Sequence, residues 1–235
     1  MAGAGGPNFG KGILYVVTYS IYFFITSSFL FWLTILPSFA WLLLLEPSLL
    51  NVLPVIFMGP ALSAITRFMI RYIETDYGVE DYPTGKDYFR FYKENFKEAI
   101  KIWTPYVLVM TVLGTNVQHY NWGGGAIAAV ADFLYIFLMA AATLLVGYML
   151  LISAKYRFKL KDLIRLSAYY AFTWIKTTLA VVAVLFLVLA AVFFLSEYLV
   201  LLFAAPLAYI LVRYAYPVLA NVGEYFVAGK EEQAE

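Results

Sequence analysis

Long apolar runs recur along this chain, each close to or beyond the ~20 residues a helix needs to cross a bilayer, and that repetition constrains the fold more than any other feature. They are read as spans over about 13–36, 50–73, 99–115, 126–152, 168–195 and 199–220. Only 13% of residues are charged, about half the share in a soluble domain, and mean hydropathy is +0.80. The expected fold class is all-α: a polytopic transmembrane helical bundle of about six spans, forming one domain over 1–235, with an amphipathic cytoplasmic connector helix.

The first run continues for about 25 residues without a small-residue cleavage site, so it reads as a retained span and no secretory processing is expected. Span 1 should end at Pro37. Residues 38–58 are apolar but broken by Pro47 and Pro54, which suits a short embedded or interfacial helix before span 2. Within span 2, Gly59-Pro60 is a discontinuity of the kind that points to a cavity or a packing kink.

The polar segment that follows carries Arg67, Arg71, Lys86, Arg90, Lys93, Lys97 and Lys101 among as many acids. Thr84-Gly-Lys-Asp87 resembles a capping box opening a helix. Phe89, Tyr92, Phe96, Ala99 or Ile100, and Trp103 recur along that helix at helical spacing, opposite Lys and Glu. It should lie along headgroups or the bundle base and bend at Pro105 into span 3. Segments 74–98 and 153–167 are read as the cytoplasmic connectors, and 229–235 as a disordered tail.

Orientation follows from the cations, which concentrate on the cytoplasmic side of membrane proteins. Six spans with both termini inside place all 16 Lys/Arg in or near the inner half and leave the outer connections without any. The expected location is a bacterial inner membrane.

Several function classes are excluded or disfavoured. The net charge of +1, with the basic segment balanced by its own acids, argues against nucleic acid. The absence of cysteine removes disulfides, thiolate metal sites and Cys nucleophiles, and a single histidine, His119, removes His-clustered metal sites. Gly5 to Lys11 spells G-x-x-x-x-G-K, but Gly12 replaces the Ser/Thr that would ligate magnesium and no strand precedes it. No nucleophile–base pair, paired carboxylates or metal-ligand spacing is present, so no catalytic residue, cofactor or metal is expected and the chain reads as non-enzymatic.

Ionisable groups at membrane depth are the candidate sites, because each costs on the order of 3 kcal/mol to insert. Asp132 lies about two turns into span 4 and cannot snorkel, and Arg213 sits deep in span 6. Small residues along span 4 (Ala126, Ala128, Ala129, Ala131, Ala140 to Ala142, Gly147) suggest that it is central in the bundle. Asp132, Gly59 and Pro60 are expected to face a common cavity. In the outer loop, His119 and Trp122 beside amides offer the aromatic-plus-polar contacts that a sugar needs, but read first as ordinary membrane-interface residues beside a Gly-rich turn.

Three stretches resemble a known family. Leu53-Pro-Val-Ile-Phe-Met-Gly59-Pro60-Ala61 is one. Asp87 through Ala99, containing Lys93-Glu-Asn95-Phe96-Lys97-Glu-Ala99 and followed by Trp103, is the second. Tyr170-Ala171-Phe172 with Thr177-Thr178-Leu179 is the third. In this order they resemble the YesL-like family of bacterial integral membrane proteins, from which the chain departs between Pro37 and Leu53. The resemblance implies a transport-associated role beside carbohydrate uptake systems and assigns no catalytic residue. Two functions fit: assisting or performing movement of a small carbohydrate-related solute, or acting as a scaffold or regulatory subunit. The scaffold would dock a cytoplasmic partner through 74–103, using Arg90, Lys93 and Lys97. The lipid bilayer is the certain partner; a transporter subunit or a second copy of the chain is the expected protein partner.

Overall fold

The computed structural model describes residues 13–44, 52–75, 82–119, 125–194 and 197–228. They form α1 (Ile13–Leu44), α2 (Val52–Ile56), α3 (Met58–Glu74), α4 (Gly85–His119), α5 (Ala126–Lys155), α6 (Leu160–Thr173), α7 (Ile175–Phe194) and α8 (Glu197–Val222), with a π-helical turn over Gly223–Ala228. Five stretches are long and apolar enough to cross a membrane, or six when the bent pair α6–α7 counts as one. The protein is an all-α bundle of the multi-pass membrane type.

The central helix is α3, which packs on α1, α4, α5 and α8. Its contact positions are small, with Gly59, Ala61, Ser63 and Ala64 all buried, so neighbouring backbones approach closely where lipid supplies no hydrophobic drive between helices. Below them Phe68, Met69, Ile70 and Tyr72 fill the core. Tyr72 stacks on Phe23 of α1 at 4.2 Å and meets Tyr209 of α8 edge-on at 5.8 Å.

Span 4, the present α5, is not the central helix. Its Ala-rich first half is largely exposed, with Val130, Phe133, Leu134, Ile136 and Phe137 facing outward, and only its second half from Val146 onward is buried. Small side chains permit close approach but do not supply a partner. The first half of α5 meets none that would bury it.

Four boundaries differ from the sequence reading. First, α1 runs through Pro37 to Leu44, because leaving the helix in an apolar medium would strand more backbone groups than one proline does. Second, α4 is one unbroken 35-residue helix that contains Pro105, so the expected connector and span 3 are a single element. Third, the expected span over 168–195 is broken at Trp174: α6 meets α7 at 93°. The break is closed by polar bonds, since Thr178 Oγ1 donates to the Ala171 carbonyl at 3.0 Å and the Trp174 N–H to the Tyr170 carbonyl at 3.0 Å. Fourth, the buried face of α4 is Tyr88, Phe91, Asn95, Ala99 and Ile102; of the expected face Ala99 is buried, Tyr92, Phe96, Ile100 and Trp103 are half-buried and Phe89 is exposed. Aromatics on adjacent faces made the two registers indistinguishable in sequence.

The start of α1, the end of α3, the start of α4, the end of α5, all of α6 and the end of α8 gather at one end of the bundle. Ser20–Tyr72, Lys155–Glu74, Arg157–Glu98 and Tyr156–Leu219 contacts tie them together. The residues 13–66, 102–154 and 177–212 contain no Lys or Arg, so this is the charged end.

Candidate functional site

The charged end begins with the opening of α4. Asp87 accepts from the Thr84 backbone N–H at 2.8 Å and from its hydroxyl at 2.9 Å, so the expected cap is formed with a carboxylate in the first turn. The same carboxylate pairs with Arg90 at 2.7 Å, and Arg90 also approaches Glu94 at 3.9 Å. The Arg90 guanidinium lies 5.2 Å from the Phe91 ring centroid, and that of Arg67 lies 5.5 Å from it.

Three strands of polar contact then clasp α3, α4, α5 and α8 together. Arg157, just past α5, pairs with Glu98, donates to the Glu94 carbonyl at 3.1 Å and donates to Asn95 Oδ1 at 2.8 Å. Lys155 pairs with Glu74 at 2.5 Å beneath Tyr216, whose ring centroid is 5.9 Å away. Arg67 donates to the Ala154 carbonyl at 2.9 Å, and Tyr156 donates to the Leu219 carbonyl at 3.2 Å. Arg67 thereby supplies a donor to a carbonyl that no helix satisfies, because the α5 terminus leaves its last C=O groups open.

This clasp engages the described acids of the segment. Asp87 and Glu94 face Arg90, Glu98 faces Arg157 and Glu74 faces Lys155. Lys86, Lys93, Lys97 and Lys101 are exposed on α4 and have no ion-pair partner among the described residues. Their spacing, with Arg90 among them, places them along one side of the helix. Among the described residues a segment neutral in sequence is therefore divided in space into a paired clasp and a lysine row without ion-pair partners.

The other candidates are dispersed. Gly59 and Pro60 are buried in the first turn of α3, where proline forfeits no intrahelical bond; the chain breaks two residues before Gly59, at Phe57. The Val55 carbonyl at that break accepts from Trp103 Nε1 at 2.9 Å, so the pair serves helix packing. Asp132 and Arg213 are exposed on α5 and α8, and neither has a hydrogen-bond or ion-pair partner among the described residues. His119 closes α4 with its side chain outside the described residues, and Trp122 lies outside them altogether. Among the described residues no cluster of three His, Asp or Glu forms a metal-binding group.

A cavity of about 230 Å³ opens between α5 and α7, walled also by α3, α4 and α8. Gly59, Pro60 and Asp132 are not in its wall. Sequence reasoning missed Arg157 and Asn95, the residues that lock the loop after α5 onto α4. The one signal was Asn95 inside the Lys-x-Asn-Phe-Lys stretch, an amide on an otherwise apolar face. Its Oδ1 is taken by Arg157, while its Nδ2 is buried without a partner in the structure.

No curated protein and no solved structure matches the chain. Residues 13–117, from α1 to the end of α4 and including the lysine row, match a family described as Protein of unknown function, DUF624.

Proposed function

We propose that the protein is a non-enzymatic accessory or regulatory subunit of a bacterial inner membrane, with both termini cytoplasmic, that holds a cytoplasmic partner through the lysine row of α4. The observation that carries this reading is the set of four exposed lysines without an ion-pair partner among the described residues, while Asp87, Glu94 and Glu98 are engaged by arginines. The kind of partner follows from the charge: an acidic protein surface.

The length of α4 favours a protein over lipid headgroups. Its 35 residues extend about 52 Å, whereas a bilayer with its headgroups is about 40–45 Å thick and needs about 20 residues for its hydrocarbon core. The row from Lys86 to Lys101 covers about 22 Å of helix, more than the headgroup layer can take up. The clasp fixes this stretch against α3 and the loop after α5, so the surface is presented rigidly, which lowers the entropic cost of association.

The resemblance to YesL-like proteins supports a partner drawn from a carbohydrate uptake system. Direct passage of a carbohydrate is less favoured, since Asp132 is outside the cavity wall and the polar groups of that wall are already hydrogen-bonded.

The test is affinity purification in mild detergent of the wild-type chain and of a Lys86→Glu, Lys93→Glu, Lys97→Glu, Lys101→Glu variant. A protein that co-purifies with the wild type and is lost from the variant supports the reading. A complement unchanged by charge reversal overturns it, and binding of the wild type to anionic vesicles alone assigns the row to lipid instead.

A further inference from the structure

We infer that the cavity between α5 and α7 is a binding site for one acyl chain of a bilayer phospholipid. Its wall is drawn from five helices, with Leu62 and Thr66 of α3 and Leu211 of α8 at the floor and Leu144, Gly147 and Leu185 at the sides.

The chemistry of the occupant follows from the hydrogen bonds of the wall. Thr66 Oγ1 donates to the Leu62 carbonyl at 2.7 Å, and Trp103 Nε1 to the Val55 carbonyl at 2.9 Å. Tyr106 and Thr143 bond each other at 3.1 Å, and Tyr148 bonds Thr178 at 2.9 Å. Every polar side chain facing the space is thus occupied within the protein, and a sugar or ion entering it would lose its hydration without replacement. An apolar cavity stays dry and takes apolar guests, and one of about 150 Å³ already accepts benzene. This one is larger, at about 230 Å³.

The source of the chain follows from position. The wall residues of α5 run from Thr143 to Leu151, immediately above Ala154 and Lys155 of the charged end, which is the depth of one leaflet's hydrocarbon. Gly147 is exposed, and a Cβ built there meets no atom within 4 Å, so the space opens sideways at that residue. Phe137 of α5 and Leu179, Val182 and Phe186 of α7 are exposed apolar groups on the two helices that flank the opening, a surface suited to lipid. Tyr148–Thr178 closes the gap toward the charged end, so a chain enters from the bilayer.

The experiment reconstitutes the full chain in vesicles containing a phospholipid with a diazirine on one acyl chain, irradiates them and maps adducts by mass spectrometry. Adducts on Leu62, Thr66 and Leu211 are expected in addition to those on outward residues such as Phe137 and Phe186. Gly147→Phe, and independently Leu185→Phe from the opposite wall, should abolish floor labelling while outward labelling persists, with Gly147→Ala retaining both. Adducts confined to outward residues, or floor adducts indifferent to both plugs, would overturn the proposal. Floor labelling by a diazirine fatty acid but not by the phospholipid would overturn its assignment to a bilayer lipid.

Discussion

Gly59 of α3 is seated against the indole of Trp103 on α4: a Cβ added to the glycine would lie 2.6 Å from both Cβ and Cγ of Trp103. The same tryptophan caps the Val55 carbonyl at the chain break. One side chain thus fixes the approach of two helices and satisfies the backbone where α2 gives way to α3.

Gly59→Ala should therefore destabilise the fold by about 1–3 kcal/mol, the usual cost of overpacking, and Gly59→Leu by more. Trp103→Ala in the Gly59→Ala background should restore part of the loss to steric clash, although Trp103→Ala alone destabilises. Thermal unfolding of the four proteins in detergent gives the cycle; additive effects would refute the contact.

Arg157→Ala should cost about 1–3 kcal/mol, because the buried Asn95 oxygen and the Glu94 carbonyl lose their donor together. Glu98→Gln should cost less than about 1 kcal/mol, since the Arg157 side chain is 54% exposed and solvent screens the pair. Raising salt should narrow the difference between wild type and Glu98→Gln and leave the Arg157→Ala deficit in place. Melting temperatures at low and high salt check the ordering.

The helical class, the number of long apolar stretches and the one-sided placement of cations were legible in the sequence. Each depends on composition over some twenty residues. The Thr84–Asp87 cap was legible as well, since it needs only four neighbouring residues. What depended on contacts between distant residues was not. Small residues occur in both α3 and α5, and nothing local tells which of the two finds neighbours. Gly59-Pro60 looks like a mid-span rupture until Trp103, far along the chain, is seen filling the space beside it. The charges from Arg67 to Lys101 balance on paper, and only the arrival of Lys155 and Arg157 from the end of α5 and the loop after it engages Glu74 and Glu98, leaving Lys86, Lys93, Lys97 and Lys101 without an ion-pair partner among the described residues. The turn at Trp174 lies in an apolar run with no Gly or Pro to mark it, and its polar closure comes from Thr178.

Thr178→Val is the corresponding test of that turn. It removes a partner from Tyr148 and the donor to the Ala171 carbonyl, and hydrogen bonds between membrane helices are worth about 0.6–1.7 kcal/mol. A loss of about that size is expected in thermal unfolding, with increased mobility of a spin label on α6 relative to one on α7. An unchanged label separation and melting point would mean that the angle is set by packing alone.

Asp132→Asn should leave the melting temperature within the range of ordinary surface substitutions, about ±0.5 kcal/mol, because the carboxylate is exposed and without a partner among the described residues. A large loss of stability in that variant would show that Asp132 is held by a contact.

The account rests on the lysine row standing in water on the cytoplasmic side. The chain lacks cysteine, so a single Lys93→Cys substitution provides a unique label site. A membrane-impermeant maleimide should modify it in inverted membrane vesicles and not in intact spheroplasts. Modification in intact spheroplasts, or protection in both preparations when the protein is alone, would contradict the account.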